Sequence, residues 1–289
     1  MEFDILTGLK THLPFLNGKP VPRKSRIELN SDIATCPFCK FAEDIENFLR
    51  ENLDISANPI LLTDEFATRE LLYLNDDFFL IKNNWPILGN VGGDAYLIIL
   101  RNHNVDFESL APTNFINLAQ IINYTRKILL YENSIFFLNI GLGSGASLSH
   151  LHFQAISAPL SKSKYIRNIE LENRRKEDIL ASRSNNLIIS ERENAISYIP
   201  KYMSSAAEVR IFYSNLSFGL EETSNIIKAL NSILGKFNYN VVIHRNINLI
   251  EILLVLDYGP IYPRYFDIRL QLVDSQAFAQ SLREEYFNL

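Results

Sequence analysis

Cysteine is nearly absent from this chain: two residues in 289, Cys36 and Cys39, both inside one CPFC tetrapeptide. That count excludes a secreted disulfide scaffold but leaves room for a metal or redox site. Histidine is also scarce, with five residues at His12, His103, His150, His152 and His244. Basic charge is in deficit, 28 Lys plus Arg against 33 Asp plus Glu for a net −5, so no nucleic-acid partner is expected. No apolar run approaches the roughly 18 residues that a membrane span needs, so no membrane partner is expected. The opening MEFDILTGLKTH lacks the basic and apolar regions of a signal peptide, and a cytoplasmic location is expected. What remains is ordinary globular composition, 47% hydrophobic and 21% charged, too apolar for a disordered chain.

Residues 1–35 are polar and turn-rich, with a basic knot at Arg23, Lys24 and Arg26. A short amphipathic helix is predicted over 42–52, strands over the aromatic stretch 71–87, and a buried strand over 95–100. Thr113 is a candidate cap for a helix over 114–131, with Phe115, Leu118, Ile122 and Leu129 at helical spacing. Strands follow at 135–140 and 150–156. The order then recurs: a strand at 208–213, a helix at 221–236 with Ile226, Ile227, Leu230, Ile233 and Leu234 inward, and strands at 239–244 and 249–256. A strand-helix-strand-strand order met twice predicts two related halves. The charged, helix-prone run 162–194 between them reads as a connector with a solvated face.

The segment Ser149-His150-Leu151-His152-Phe153-Gln154-Ala155 alternates with period two. On a strand, His150, His152 and Gln154 then share one face, while Leu151, Phe153 and Ala155 enter the core. Two imidazoles and an amide on one face are costly without partners. Before them lies a Gly-rich loop, Asn139 to Ser147, whose unobstructed backbone N–H groups and amide and hydroxyl donors suit a phosphate. Its G-x-G is no dinucleotide fingerprint, because a strand and not a helix follows. The CPFC pair has two readings. It is a dithiol of glutaredoxin type, or it is half of a tetrahedral zinc site. The polar run before it weakens the first, since a redox dithiol should follow a buried strand and open a helix.

NIGLGSGASLSHLHFQ resembles the active-site signature of the galactose-1-phosphate uridylyltransferase branch of the histidine-triad (HIT) superfamily: Asn, eight residues on a Ser, three on a His, then x-His-x-Gln. Asn139, Ser147, His150, His152 and Gln154 match it in type and spacing. The HLHFQA wording is nearer to the dinucleotide and GDP-hexose phosphorylases of that branch. The resemblance implies an α+β, HIT-like fold of two tandem halves with antiparallel sheets and packed helices. Residues 1–160 would be the catalytic half, 161–194 a helical connector and 195–289 a second, non-catalytic half, because 249–256 has no HxH.

The same resemblance implies the chemistry. His152 would be the nucleophile that carries a nucleoside monophosphate from a nucleotide sugar or dinucleotide to a phosphate or sugar 1-phosphate acceptor. Gln154 stands where hydrolytic relatives carry a third histidine. An amide bonds phosphoryl oxygens but moves no proton, which favours transfer to an already anionic acceptor. Asn139, Gly145, Ser147 and Gln154 would hold substrate. Asn83, Asn84 and Trp85, in an N-N-W-P run resembling the family's base-binding segment, would meet the nucleobase. Arg23, Lys24 and Arg26 fall where the family places phosphate-binding arginines. Cys36, Cys39, His103 and His150 would hold one structural zinc, and a homodimer is expected on the resemblance alone. A nucleotide-binding protein without turnover is the alternative from another class.

Overall fold

The computed structural model describes residues 32–52, 71–83, 93–130, 134–157, 168–201, 207–255 and 275–289, together with four two-residue strands before residue 21. The basic knot, Asn84 and Trp85 lie outside the described residues.

Ten strands form one antiparallel sheet. In chain order they are β1 (Leu71–Leu74), β2 (Phe78–Lys82), β3 (Asp94–Leu100), β4 (Ser134–Ile140), β5 (His152–Ser157), β6 (Ile188–Arg192), β7 (Ala195–Tyr198), β8 (Ala207–Tyr213), β9 (Asn238–His244) and β10 (Leu249–Val255). Across the sheet the order is β6-β7-β8-β10-β9-β4-β5-β3-β2-β1. Five α-helices accompany it among the described residues: α1 (Pro37–Asn52), α2 (Pro112–Ile128), α3 (Asn168–Ser184), α4 (Leu216–Leu234) and α5 (Ser275–Tyr286). The fold is α+β and HIT-like. β3-α2-β4-β5 and β8-α4-β9-β10 have the same connections, and β4 and β9 pair where the two runs meet, from Ile140 opposite Tyr239 to Phe136 opposite Ile243.

Each face has its own cover. Phe153, Ala155, Leu138, Ile98, Val209, Ile211 and Ile252 point to one side, against Phe115, Leu118 and Ile122 of α2 and Leu220, Ile226 and Leu230 of α4. This is a single core shared by both runs. On the other side α1 covers one end, through Ala42 and Ile45 on Phe79, Ile81 and Ile99. α3 covers the far end, through Ile179 on Tyr198, Phe212 and Leu249. Between them β5, β4 and β9 carry half-buried Gln154, Asn139, Asn240 and Val242. Among the described residues neither helix covers that stretch, and the gap over it between α1 and α3 is the cleft.

Several helix ends depart from expectation. α1 begins at Pro37, so CPFC does open a helix; a proline at the first helical position forfeits no hydrogen bond. It follows a 3-10 turn, Ile33–Thr35. α2 begins at Pro112, and its first turn is held by Asn114 Oδ1 accepting the Ala111 N–H at 2.7 Å, so Thr113 is no cap. α4 starts five residues early because Asn215 caps it, accepting the Ser217 N–H at 3.0 Å. At its far end Ile233 and Leu234 are exposed instead of inward. The stretch read as connector includes β6, which extends the sheet beyond α3.

Beneath α3 lies a buried ionic cluster. Arg210 meets Glu208 at 2.7 Å, Asp178 at 2.9 Å and Glu251 at 3.4 Å, and His244 meets Glu251 at 2.9 Å. The Tyr198 hydroxyl donates to Asp178 at 2.6 Å. Taking Glu208 and Glu251 out of water is costly, and these partners offset the cost. Burial alone would raise the Glu251 pKa; His244 and Arg210 bring it below the usual glutamate value.

Candidate active site and metal centre

β5 begins at His152, so the alternation expected from 150 starts two residues later. Leu151, Phe153 and Ala155 do enter the core, and His152 and Gln154 share the opposite face. His150 precedes the strand and turns its ring toward α1. The backbone ladder still reaches this point, as the Leu100 N–H donates to the Leu151 carbonyl at 3.1 Å.

His150 meets three other donors there. Its Nδ1 lies 3.0 Å from His103 Nδ1, 3.4 Å from Cys36 Sγ and 3.5 Å from Cys39 Sγ, and Cys39 Sγ lies 3.0 Å from His103 Nδ1. All four ligand atoms fall within 4.8 Å of one another. In a tetrahedron with metal bonds of ~2.0–2.3 Å the ligand atoms sit about 3.3–3.8 Å apart, close to this spacing. Hydrogen bonding fits as well. His150 Nε2–H donates to the Leu100 carbonyl at 2.5 Å, which leaves Nδ1 with its lone pair facing the cluster. Burial, first of all, holds the His150 pKa down near about 4. Burial and the neighbouring Cys36 push the Cys39 thiol up to about 11. A divalent cation reverses that penalty, because thiolates are its natural ligands. The donor set therefore fits a metal ion. Outside it, Arg101 and Glu46 pair at 2.9 Å and tie α1 to the loop that carries His103.

His152 has one polar anchor in the described structure. Its Nδ1–H donates to the His150 carbonyl at 2.8 Å, so Nε2 carries the lone pair. The residue is buried, and burial lowers its pKa while the carbonyl opposes this, which favours the neutral ring. Phe38, from within CPFC, stands between the two sites, its ring 5.6 Å from that of His150 and 5.1 Å from that of His152. The sequence singled out the cysteines on either side of Phe38 and gave no sign of this contact.

The remaining candidates fall in three places. Leu138 pairs with Phe153, so one step further Asn139 and His152 are neighbours on the cleft face, and Gln154 lies on that face opposite Phe137. Gly145 and Ser147 are exposed in the loop from β4 to β5, with Gly145 at φ +87. Asn83 ends β2, its N–H donating to the Ala95 carbonyl at 2.8 Å, two strands away from β5. The structure thus groups Asn139, His152 and Gln154 and keeps Asn83 apart. Asn240 on β9 was not anticipated: it pairs with Asn139 from 101 residues away.

The fold defines the class: HIT-like, with two strand-helix-strand-strand runs in one antiparallel sheet. Among solved structures the chain is similar to a GalT-like protein from Arabidopsis thaliana, with TM-score 0.60 and 17% identity over 86% of this chain and 91% of that one. It is similar to a uridylyltransferase mutant, with TM-score 0.59 and 15% identity over 74% and 90%. A third is an ADP-glucose phosphorylase from Arabidopsis thaliana with bound ADP-glucose, with TM-score 0.55 and 16% identity over 72% and 82%. No protein-family model and no curated protein matches the sequence. No helix among the described residues is long and apolar enough to cross a membrane.

Proposed function

We propose that the protein is a nucleotidyltransferase in which His152 carries a nucleoside monophosphate covalently between a nucleotide donor and a phosphate-bearing acceptor. The observation that carries this is the single anchor of His152. With Nδ1–H given to the His150 carbonyl, Nε2 is the atom left to attack, beside Asn139 on the cleft face. Attack on the α-phosphorus forms a P–N bond as the bond to the departing phosphate oxygen breaks. That leaving group, a sugar 1-phosphate from a nucleotide sugar, departs as an anion. An acceptor phosphate oxygen then attacks the same phosphorus, the P–N bond breaks and the neutral imidazole returns. No proton changes hands, consistent with an amide at Gln154. Asn139, Gly145, Ser147 and Gln154 would donate hydrogen bonds to the phosphates, and Asn83, Asn84 and Trp85 would take the base.

Cys36, Cys39, His103 and His150 would hold a zinc ion, which when bound supplies a cross-link and no open coordination position. By this reading 1–160 is the catalytic HIT-like half and 195–289 a half without nucleophile, joined through 161–194. Both acceptor classes occur on this fold, since one similar structure is a uridylyltransferase and another an ADP-glucose phosphorylase. Phosphorolysis of a nucleotide sugar or dinucleotide is therefore the second reading.

The test is intact-mass analysis after incubation with UDP-glucose, ADP-glucose, GDP-mannose and diadenosine tetraphosphate. An acid-labile nucleotidyl adduct is expected with one donor, and none in His152→Ala. No adduct from any of them would leave the binding-protein alternative standing.

A further inference from the structure

The far half of the sheet reaches the proposed site through β9. Asn240 on β9 pairs with Asn139 on β4, which neighbours His152 on β5, so the three stand in one row across the cleft floor. Asn240 Nδ2 donates to Asn139 Oδ1 at 2.7 Å and to the Ser144 carbonyl at 3.0 Å. Its two hydrogens are both used.

These two acceptors settle an orientation that a pair of facing amides leaves open. Two amides in contact are equally content with either one donating. The Ser144 carbonyl can only accept, so turning Asn240 round would set oxygen against oxygen there. Asn240 therefore presents its NH2, and Asn139 must answer with its oxygen. The NH2 of Asn139 then points away from Asn240, and among the described residues it has no protein acceptor. The side of the row left to it is that of His152.

The loop is held by the same strand. Gly141 has φ +84, and a Cβ there would lie 1.8 Å from Asn238 Oδ1, while Ser144 Oγ donates to the Gly141 carbonyl at 2.7 Å. Asn238 and Asn240 project alike from β9, the first packed closely against Gly141 and the second bonded to the Ser144 carbonyl.

We propose that Asn240 is a positioning residue for transfer at His152: it orients the Asn139 amide so that its hydrogens meet the phosphoryl group there, and it pins the Gly-rich loop. The proposal rests on His152 being the nucleophile. It makes the half without a nucleophile necessary to the half that has one.

The test is the single-turnover rate of His152 nucleotidylation, with whichever donor labels the wild type, in Asn240→Ala, Asn240→Asp, Asn139→Asp and the double variant Asn240→Ala/Asn139→Asp. Asn139→Asp keeps an oxygen for Asn240 but has no NH2. Asn240→Asp draws that NH2 toward itself. Each single variant is expected to slow adduct formation roughly 10- to 100-fold, with half-saturating donor concentration changed by less than about 3-fold. Metal content should stay at the wild-type level, and the double variant should be no slower than Asn139→Asp, since both act through one NH2. Losses that multiply, or Asn240 variants within about 2-fold of wild type, would overturn the proposal and leave the nucleophile standing. If the wild type labels with no donor, the nucleophile reading fails, and this proposal, which rests on it, fails with it.

Discussion

Cys39 links two properties of the candidate metal centre. Its thiol is pushed up to about 11 by burial and by Cys36, and it lies against both histidine nitrogens. Without a cation this corner holds four donors that repel or desolvate one another; with one it joins α1 to the segment before β5. Cys39→Ser is therefore expected to lose most bound metal and to lower the thermal midpoint by roughly 5–10 °C. Elemental analysis and differential scanning fluorimetry check this. A strong chelator should reproduce the shift in wild type and add nothing in the variant. At this scale much was legible. Two imidazoles at alternate positions after a Gly-rich loop single out a candidate site, whereas two cysteines in four residues left a dithiol and half a metal site both open until the resemblance supplied His103 and His150. Asn240 was not legible, because nothing local distinguishes an asparagine in a strand; its role comes from pairing with a strand a hundred residues away.

Among the elements, β8, β10 and α3 are joined by charge. Arg210 meets Glu208, Glu251 and Asp178 together. Arg210→Met leaves two buried carboxylates without it and is expected to cost about 3–5 kcal/mol in urea unfolding. The pH dependence has a definite sign. The Glu251 carboxyl is held below its usual value in the folded protein, so it binds its proton more readily when unfolded. Its contribution is present above about pH 4.5 and is lost as the pH falls through the lower folded value. Urea midpoints measured from pH 7 down to about 3 should drop in the acid limb, and less steeply in Glu251→Gln. The sequence hid this cluster. EVRIFY reads as a strand, but alternation does not say that Glu208 and Arg210 face α3. The early starts of α1 and α4 were hidden for another reason: Pro37 and Asn215 act through backbone geometry at a boundary, where the hydrophobic period gives no warning.

One face of the sheet carries a core common to both runs of strands. Leu138 and Val241, paired where β4 meets β9, are both buried in it with α2 and α4. Unfolding one run of strands would expose the other, so calorimetry should give a single transition, its calorimetric and van't Hoff enthalpies in a ratio of about one. Val241→Asp should lower that transition without splitting it; two resolved transitions would mean that the runs fold apart. The repeated strand-helix-strand-strand order could be read from the sequence, because each element carries its own hydrophobic period. The joining of β4 to β9 could not, since pairing partners leave no mark on either strand.

One atom of His150 has a duty that its side chain does not share. The ring faces the cysteines, while the carbonyl behind it accepts the Nδ1–H of His152. A side chain can be exchanged and a carbonyl oxygen cannot, so genetics can reach only one of the two. Every residue placed at 150 still offers His152 the same acceptor, provided the backbone keeps its course. A variant such as His150→Asn thus asks whether the proposed ion matters to the proposed nucleophile beyond holding that course, and whatever rate survives measures how well the sheet keeps it alone.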